Sequence, residues 1–171
     1  MITLKSKKIP IIAILTALSL IAFLLESLLP PLFIPGAKLG LGNVFLMLCL
    51  IWFSLPEALI MLLAKCILAC AFGGLTQLMY SVPAGLVSLL ISYVLIKFLS
   101  EKLSVLSICA LSATLHNLIQ LSTFGVITGA DVKYYFPFLA LAGLVAGIVT
   151  GIATFFIIKY VPLETVRKKE K

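Results

Sequence analysis

The chain has 171 residues, of which 63% are hydrophobic and only 11% charged, and it carries a net charge of +7. So little charge leaves no wettable surface for a soluble domain of this length. Its basic residues gather at the ends and in the joints instead of covering a face, which argues against nucleic acid and for anchoring at a membrane surface.

An α-helix needs about 20 apolar residues to cross the hydrocarbon core. The first candidate span covers about residues 9–29, opened by Lys5, Lys7 and Lys8 and closed by Pro30-Pro31. It is too long for a signal-peptide core, and no small-x-small cleavage site follows it before the prolines. A loop with Pro35, Gly36, Gly40 and Gly42 leads into a shorter span over residues 41–53. The third span covers residues 57–72 and stops at Gly73-Gly74. The fourth covers residues 80–99, with Pro83 placed in its first turn, where a missing N–H does little harm. The fifth and sixth cover residues 104–127 and 134–160. The pattern predicts an all-α bundle of six transmembrane helices forming one integral membrane domain over residues 1–171. Spans two and three are short enough to form a broken or tilted pair.

An even number of spans puts both termini on one side. The termini and the joint between spans four and five hold Lys5, Lys7, Lys8, Lys97, Lys102, Lys159, Arg167, Lys168, Lys169 and Lys171. The opposite side holds Lys38 and Lys133, and Lys65 lies within a span. Because cytoplasmic loops are enriched in Lys and Arg, both termini are expected in the cytoplasm and the chain in a plasma membrane.

Polar groups inside a bilayer are costly unless paired, so each is a candidate functional group. The set is Glu26, Lys38, Asn43, Lys65, His116, Asn117 and Gln120, and most of it falls in the outer half of the predicted bundle. His116 and Gln120 are one helical turn apart, with Ser112 one turn below. Such a stripe suits a ligand cavity or interhelical hydrogen bonding equally well. Glu26 and Lys65 could pair with each other. Between Gly36 and Asn43, three glycines and Lys38 lead into a helix N-terminus, an arrangement that favours an anion or serves as a turn at the membrane surface.

No cluster of titratable residues suggests a catalytic centre, a metal site or a cofactor. Cys66 and Cys70 share a helix face, but no His or further Cys stands near them, so all four cysteines read as buried apolar side chains. Two small-residue patterns concern packing: Ala13 and Ala17 in span one, and Gly143, Gly147 and Gly151 with Ala142 and Ala146 in span six. Each fits either internal packing or docking onto another membrane subunit.

Three segments in order, Pro35-Gly-Ala-Lys-Leu-Gly-Leu-Gly-Asn43, Tyr80-Ser-Val-Pro-Ala-Gly-Leu-Val-Ser88 and His116-Asn-Leu-Ile-Gln120, resemble the bacterial Gx transporter family, also known as heptaprenyl diphosphate synthase component I. The chain departs from the family pattern at Gly42, Ala84 and Lys65, where Ala, Gly and Arg are expected. That family is similar to the substrate-binding S components of energy-coupling-factor transporters. By this resemblance the outer polar set (Lys38, Asn43, His116, Asn117, Gln120 and Glu26) binds a small molecule with an anionic or polar head. Ala13 and Ala17 then face a transmembrane coupling subunit served by separate ATPases. Prenyl elongation itself needs Mg²⁺ held by clustered carboxylates. This chain has one Asp, Asp131, and scattered Glu residues, so a synthase association would be that of a non-catalytic membrane accessory in polyprenyl or quinone metabolism. A structural or electron-transfer assembly subunit is a third reading.

Overall fold

A computed structural model of the chain describes residues 3–28 and 40–161. It is all-α, with no strand among the described residues: α1 (Thr3–Leu28), α2 (Leu41–Trp52), α3 (Leu55–Leu99), α4 (Val105–Thr128), a short 3₁₀ turn at Lys133–Tyr135, and α5 (Phe136–Tyr160). Five stretches are long and apolar enough to span a bilayer, two of them within α3. Large apolar side chains such as Ile14, Ile21, Ile67, Phe98 and Phe155 stand exposed on the outside of the bundle. A soluble protein does not tolerate apolar surface on that scale, whereas lipid solvates it. The chain is a multi-pass membrane protein.

The short predicted span two is α2, and at 12 residues it is only about 18 Å long, too short to cross a hydrocarbon core by itself. It lies against α1, α3 and α5. That setting explains why it is apolar on every side: Leu46, Met47, Leu48, Cys49 and Leu50 are all buried. The core continues from this helix into Leu15 of α1, Met61 and Leu62 of α3, and Ile108 and Cys109 of α4.

Predicted spans three and four are one helical run broken at Gly74, whose φ of 77° and ψ of 169° only glycine adopts freely. The expected boundary at Tyr80 is corrected by this run. Residues 75–82 contain no Gly or Pro, so the helix resumes directly after Gly74, and Pro83 sits inside it instead of in its first turn. Helix α1 likewise begins earlier than expected, at Thr3, with Pro10 inside it. The Pro30-Pro31 stop, Lys38 and the basic residues beyond Lys159 lie outside the described residues.

The glycine stripe of α5 is used internally. A Cβ on Gly143 would come within 2.7 Å of the Thr114 Cα, and one on Gly151 within 2.9 Å of the Leu106 Cα. A Cβ on Gly147 would overlap the Cα of Ala110. Bare α-carbons therefore let α5 lie directly on the backbone of α4. Ala13 and Ala17 differ, because both are exposed on α1.

At the opposite end from the polar set, Lys8 reaches Glu57 at 3.3 Å, and Ser54 donates to the other oxygen of the same carboxylate. This contact joins the start of α1 to the start of α3. Lys8 is 46% exposed, and exposed pairs contribute up to about 1 kcal/mol. Lys8→Met should accordingly leave the thermal unfolding midpoint in detergent almost unchanged.

Candidate functional site

The site is built around the start of α2. Gly40 turns the chain into the helix with a φ of 70°, a conformation that side-chain-bearing residues adopt only at a cost. The first amides of a helix have no partner within it, and here a buried carboxylate satisfies two amides at this turn. Glu26 accepts from Gly40 N–H at 2.6 Å with one oxygen and from Leu41 N–H at 3.2 Å with the other. A negative charge is favoured at this positive end of the helix, which is how Glu26 remains only 7% exposed near the C-terminal end of α1.

The second turn anchor comes from α1, where the buried Ser19 hydroxyl donates to the Gly42 carbonyl at 2.7 Å. From α3, the Lys65 ammonium donates to Asn43 Oδ1 at 3.0 Å. A Cβ on Gly42 would sit 2.7 Å from the Ser19 carbonyl oxygen and 2.9 Å from Lys65 Nζ. The bare backbone at Gly42 thus makes room for the lysine head.

Helix α4 contributes the other polar groups. His116 Nδ1 lies 3.3 Å from Ser88 Oγ of α3, whose hydroxyl proton goes to the Gly85 carbonyl at 3.1 Å. Asn117 is 7% exposed, and its Nδ2 has no hydrogen-bond partner. Only Trp52 Nε1, at the far end of α2, shares that condition among the described residues.

All of these converge on one cavity of about 70 Å³, lined by Glu26, Gly40, Gly42, Asn43, Lys65, His116, Asn117 and Gln120. Its remaining wall is mostly apolar, with Phe23, Leu62, Leu78, Ala113 and Ala146 beside Ser81 and the cysteines Cys66 and Cys70. The volume holds a few waters or the head group of a ligand, since one water needs roughly 10–15 Å³ of such space. A smaller chamber of about 30 Å³ adjoins it, sharing Gly40, Asn43 and Ala113, and is lined by Ser88, Ser92, Ser112, Thr150 and Thr154. There Ser92 donates to the Ser88 carbonyl or to Ser112 Oγ, both at 2.8 Å, which ties α3 to α4.

Five of the six residues expected from the sequence as ligand-binding therefore line a single cavity: Glu26, Asn43, His116, Asn117 and Gln120. The sixth, Lys38, lies outside the described residues. Lys65, a costly polar group in the sequence with Glu26 as one possible partner but not among the six expected ligand-binding residues, also lines the cavity and is bonded to Asn43. A cation within a span was the signal that could have placed it there. Ser88, the neighbour of His116, carried no signal of its own. No group of three or more metal-ligating side chains occurs among the described residues.

No curated protein and no solved structure matches the chain. A family model does, over residues 15–157, which take in every described residue of the cavity and both of its chambers. Its description is heptaprenyl diphosphate synthase component I, and the chain belongs to that family.

Proposed function

We propose that this chain is the substrate-binding membrane subunit of a small-molecule uptake system, of the S-component kind. The observation that carries the reading is the convergence of Glu26, Asn43, Lys65, His116, Asn117 and Gln120 on one cavity. Groups of this kind are expensive within a bilayer, and gathering them around one cavity puts them within reach of a ligand. With the start of α1 in the cytoplasm of a bacterial cell, the cavity, at the other end of the bundle from Lys8, lies toward the outside, where an imported solute arrives. Lys38, from the segment before α2, would draw in an anionic head. Ala13 and Ala17, exposed along α1, offer the small-residue face that a membrane coupling subunit, driven by separate ATPases, would pack against.

The test is uptake and co-purification in cells that contain the partner subunits. Ala13→Trp with Ala17→Trp should abolish co-purification of a coupling subunit and energy-driven uptake, and leave the folded chain intact. His116→Ala and Gln120→Ala should leave co-purification intact and abolish uptake. Unchanged uptake in all of these variants would remove the reading.

A second reading is favoured by the family's description: a membrane accessory of heptaprenyl diphosphate or quinone synthesis. With one Asp in the chain and no carboxylate cluster for Mg²⁺, its part would be to tether a synthase or present a lipid. Co-purification with a prenyl synthase, and altered prenyl chain lengths on deletion, would favour this reading over uptake.

A further inference from the structure

We infer that the hydroxyl-lined chamber adjoining the cavity is a second subsite, which takes a neutral hydroxyl group of the ligand while the ligand's charged groups stay in the larger cavity. This rests on the larger cavity being a ligand site, and it does not require that the ligand be transported.

The chamber continues the cavity toward the middle of the bundle. Met47 follows Asn43 by one turn on α2, and Ser88 follows Ser81 by two turns on α3. Ser112 precedes His116 by one turn on α4, and Thr150 follows Ala146 by one turn on α5. Asn43 and Ala113 line both spaces, so one molecule can reach from the first into the second.

The two spaces differ in chemistry. Glu26 and Lys65 line the cavity, whereas no charged side chain among the described residues lines the chamber. Ser92 and Thr154 are fully buried and brace its walls, but Ser88 and Thr150 each keep 5% of their surface and Ser112 keeps more. The Ser88 and Thr150 hydroxyls donate to the carbonyls of Gly85 and Gly147, both at 3.1 Å. Ser112 reaches the Ser88 carbonyl at only 3.4 Å, a long bond that it can release. A hydroxyl carries one proton and two lone pairs, so each of these three keeps acceptor capacity. An alcohol O–H is donor and acceptor at once. It therefore fits these hydroxyls, and the Asn43 carboxamide at the junction, in whichever rotamer they adopt.

Size and charge narrow the guest. A volume of about 30 Å³ equals two or three waters at roughly 10–15 Å³ each, which is room for a substituent of one or two heavy atoms. Water in such a chamber bonds to its hydroxyls; a guest hydroxyl replaces those bonds, and a methyl group forfeits them. A charged group would enter a neutral lining within the bilayer, which is costly. Ionic groups of the ligand stay beside Glu26 and Lys65.

Phenethyl alcohol, propylbenzene and phenethylamine share one ring and one chain length, and end in a hydroxyl, a methyl and an ammonium group. Phe23, Leu62 and Leu78 in the cavity wall suit the ring. Added at millimolar concentration to the detergent-purified full chain, phenethyl alcohol should raise the unfolding midpoint by about 2–5 °C more than either other probe. Ser112→Ala combined with Thr150→Val removes both hydroxyls with little change of shape, and should bring phenethyl alcohol level with propylbenzene. Ser112→Ala alone should roughly halve the difference, and it provides the comparison if the double variant fails to fold. Gln120→Leu, in the cavity and outside the chamber, should leave the preference for hydroxyl over methyl intact. An equal or larger shift with propylbenzene or phenethylamine in the unaltered chain, an undiminished hydroxyl preference in the Ser112 and Thr150 variants, or no response to any probe would overturn the inference. No partner subunit takes part in these measurements. Failure of uptake while the hydroxyl preference holds would overturn the transport reading alone.

Discussion

Gly147→Leu is expected to prevent the bundle from assembling, and Gly147→Ala to destabilise it by about 1–3 kcal/mol, the usual cost of forcing extra methyl groups into a packed interior. The reason is the identity of the atoms that the new side chain meets. Next to Gly147 stand the Cα of Ala110, the Cys109 carbonyl oxygen at 2.7 Å and the Ala110 amide nitrogen at 3.0 Å. All of these are backbone, which cannot swing aside as a flexible side chain can. Accommodating leucine means lifting α5 off α4, and the glycines on either side, Gly143 and Gly151, would lose their contacts as well. Because α4 carries His116, Asn117 and Gln120, the cavity would lose its geometry with the interface. Size-exclusion profiles and thermal unfolding in detergent measure the effect. Val145→Leu, on the half-exposed side of the same helix, should leave both unchanged. Equal damage from the two leucines would mean that α5 does not pack on α4 through its glycines.

The second large effect is expected at Glu26. Glu26→Leu strands the Gly40 and Leu41 amides, and each buried donor left without a partner costs about 1–3 kcal/mol. A total loss of about 2–4 kcal/mol follows, allowing for partial relaxation of the first turn of α2. Glu26→Gln keeps one acceptor oxygen and loses the charge that the helix terminus favours, so roughly half that loss is expected. The two variants separate hydrogen bonding from charge, and chemical or thermal unfolding in detergent ranks them. Loss of the cap should also reach the cavity, because the turn from Gly40 to Asn43 presents the oxygen that holds Lys65. If Glu26→Leu unfolded no more readily than the unaltered chain, the carboxylate would not be what fixes the start of α2.

These two positions show different degrees of legibility in the sequence. Glu26 stood out because a carboxylate in an apolar span demands an explanation. The explanation itself, two backbone amides fourteen and fifteen residues later at the start of α2, depends on how the chain returns beside α1. The glycine stripe was visible as a packing surface, but nothing in its spacing says whether the partner helix belongs to the same chain. The same ambiguity applied to Ala13 and Ala17, and the outcome is opposite, since these two alanines stay exposed.

Composition and periodicity alone determined that the chain is a helical membrane protein, roughly where its helices begin and end, and which few polar groups needed a reason to be there. That much is local, because the cost of leaving a backbone or a charge in hydrocarbon is charged residue by residue. Only the tertiary structure decided that α2 is a buried plug, that the helix resumes at once after Gly74, and that Lys65 bonds Asn43 while Glu26 caps a helix. It also decided that Asn117 is left with an unanswered donor. Each of these depends on which side chains meet across helices far apart in sequence, and hydrogen-bond partnership at such distances leaves no periodic trace in the chain itself.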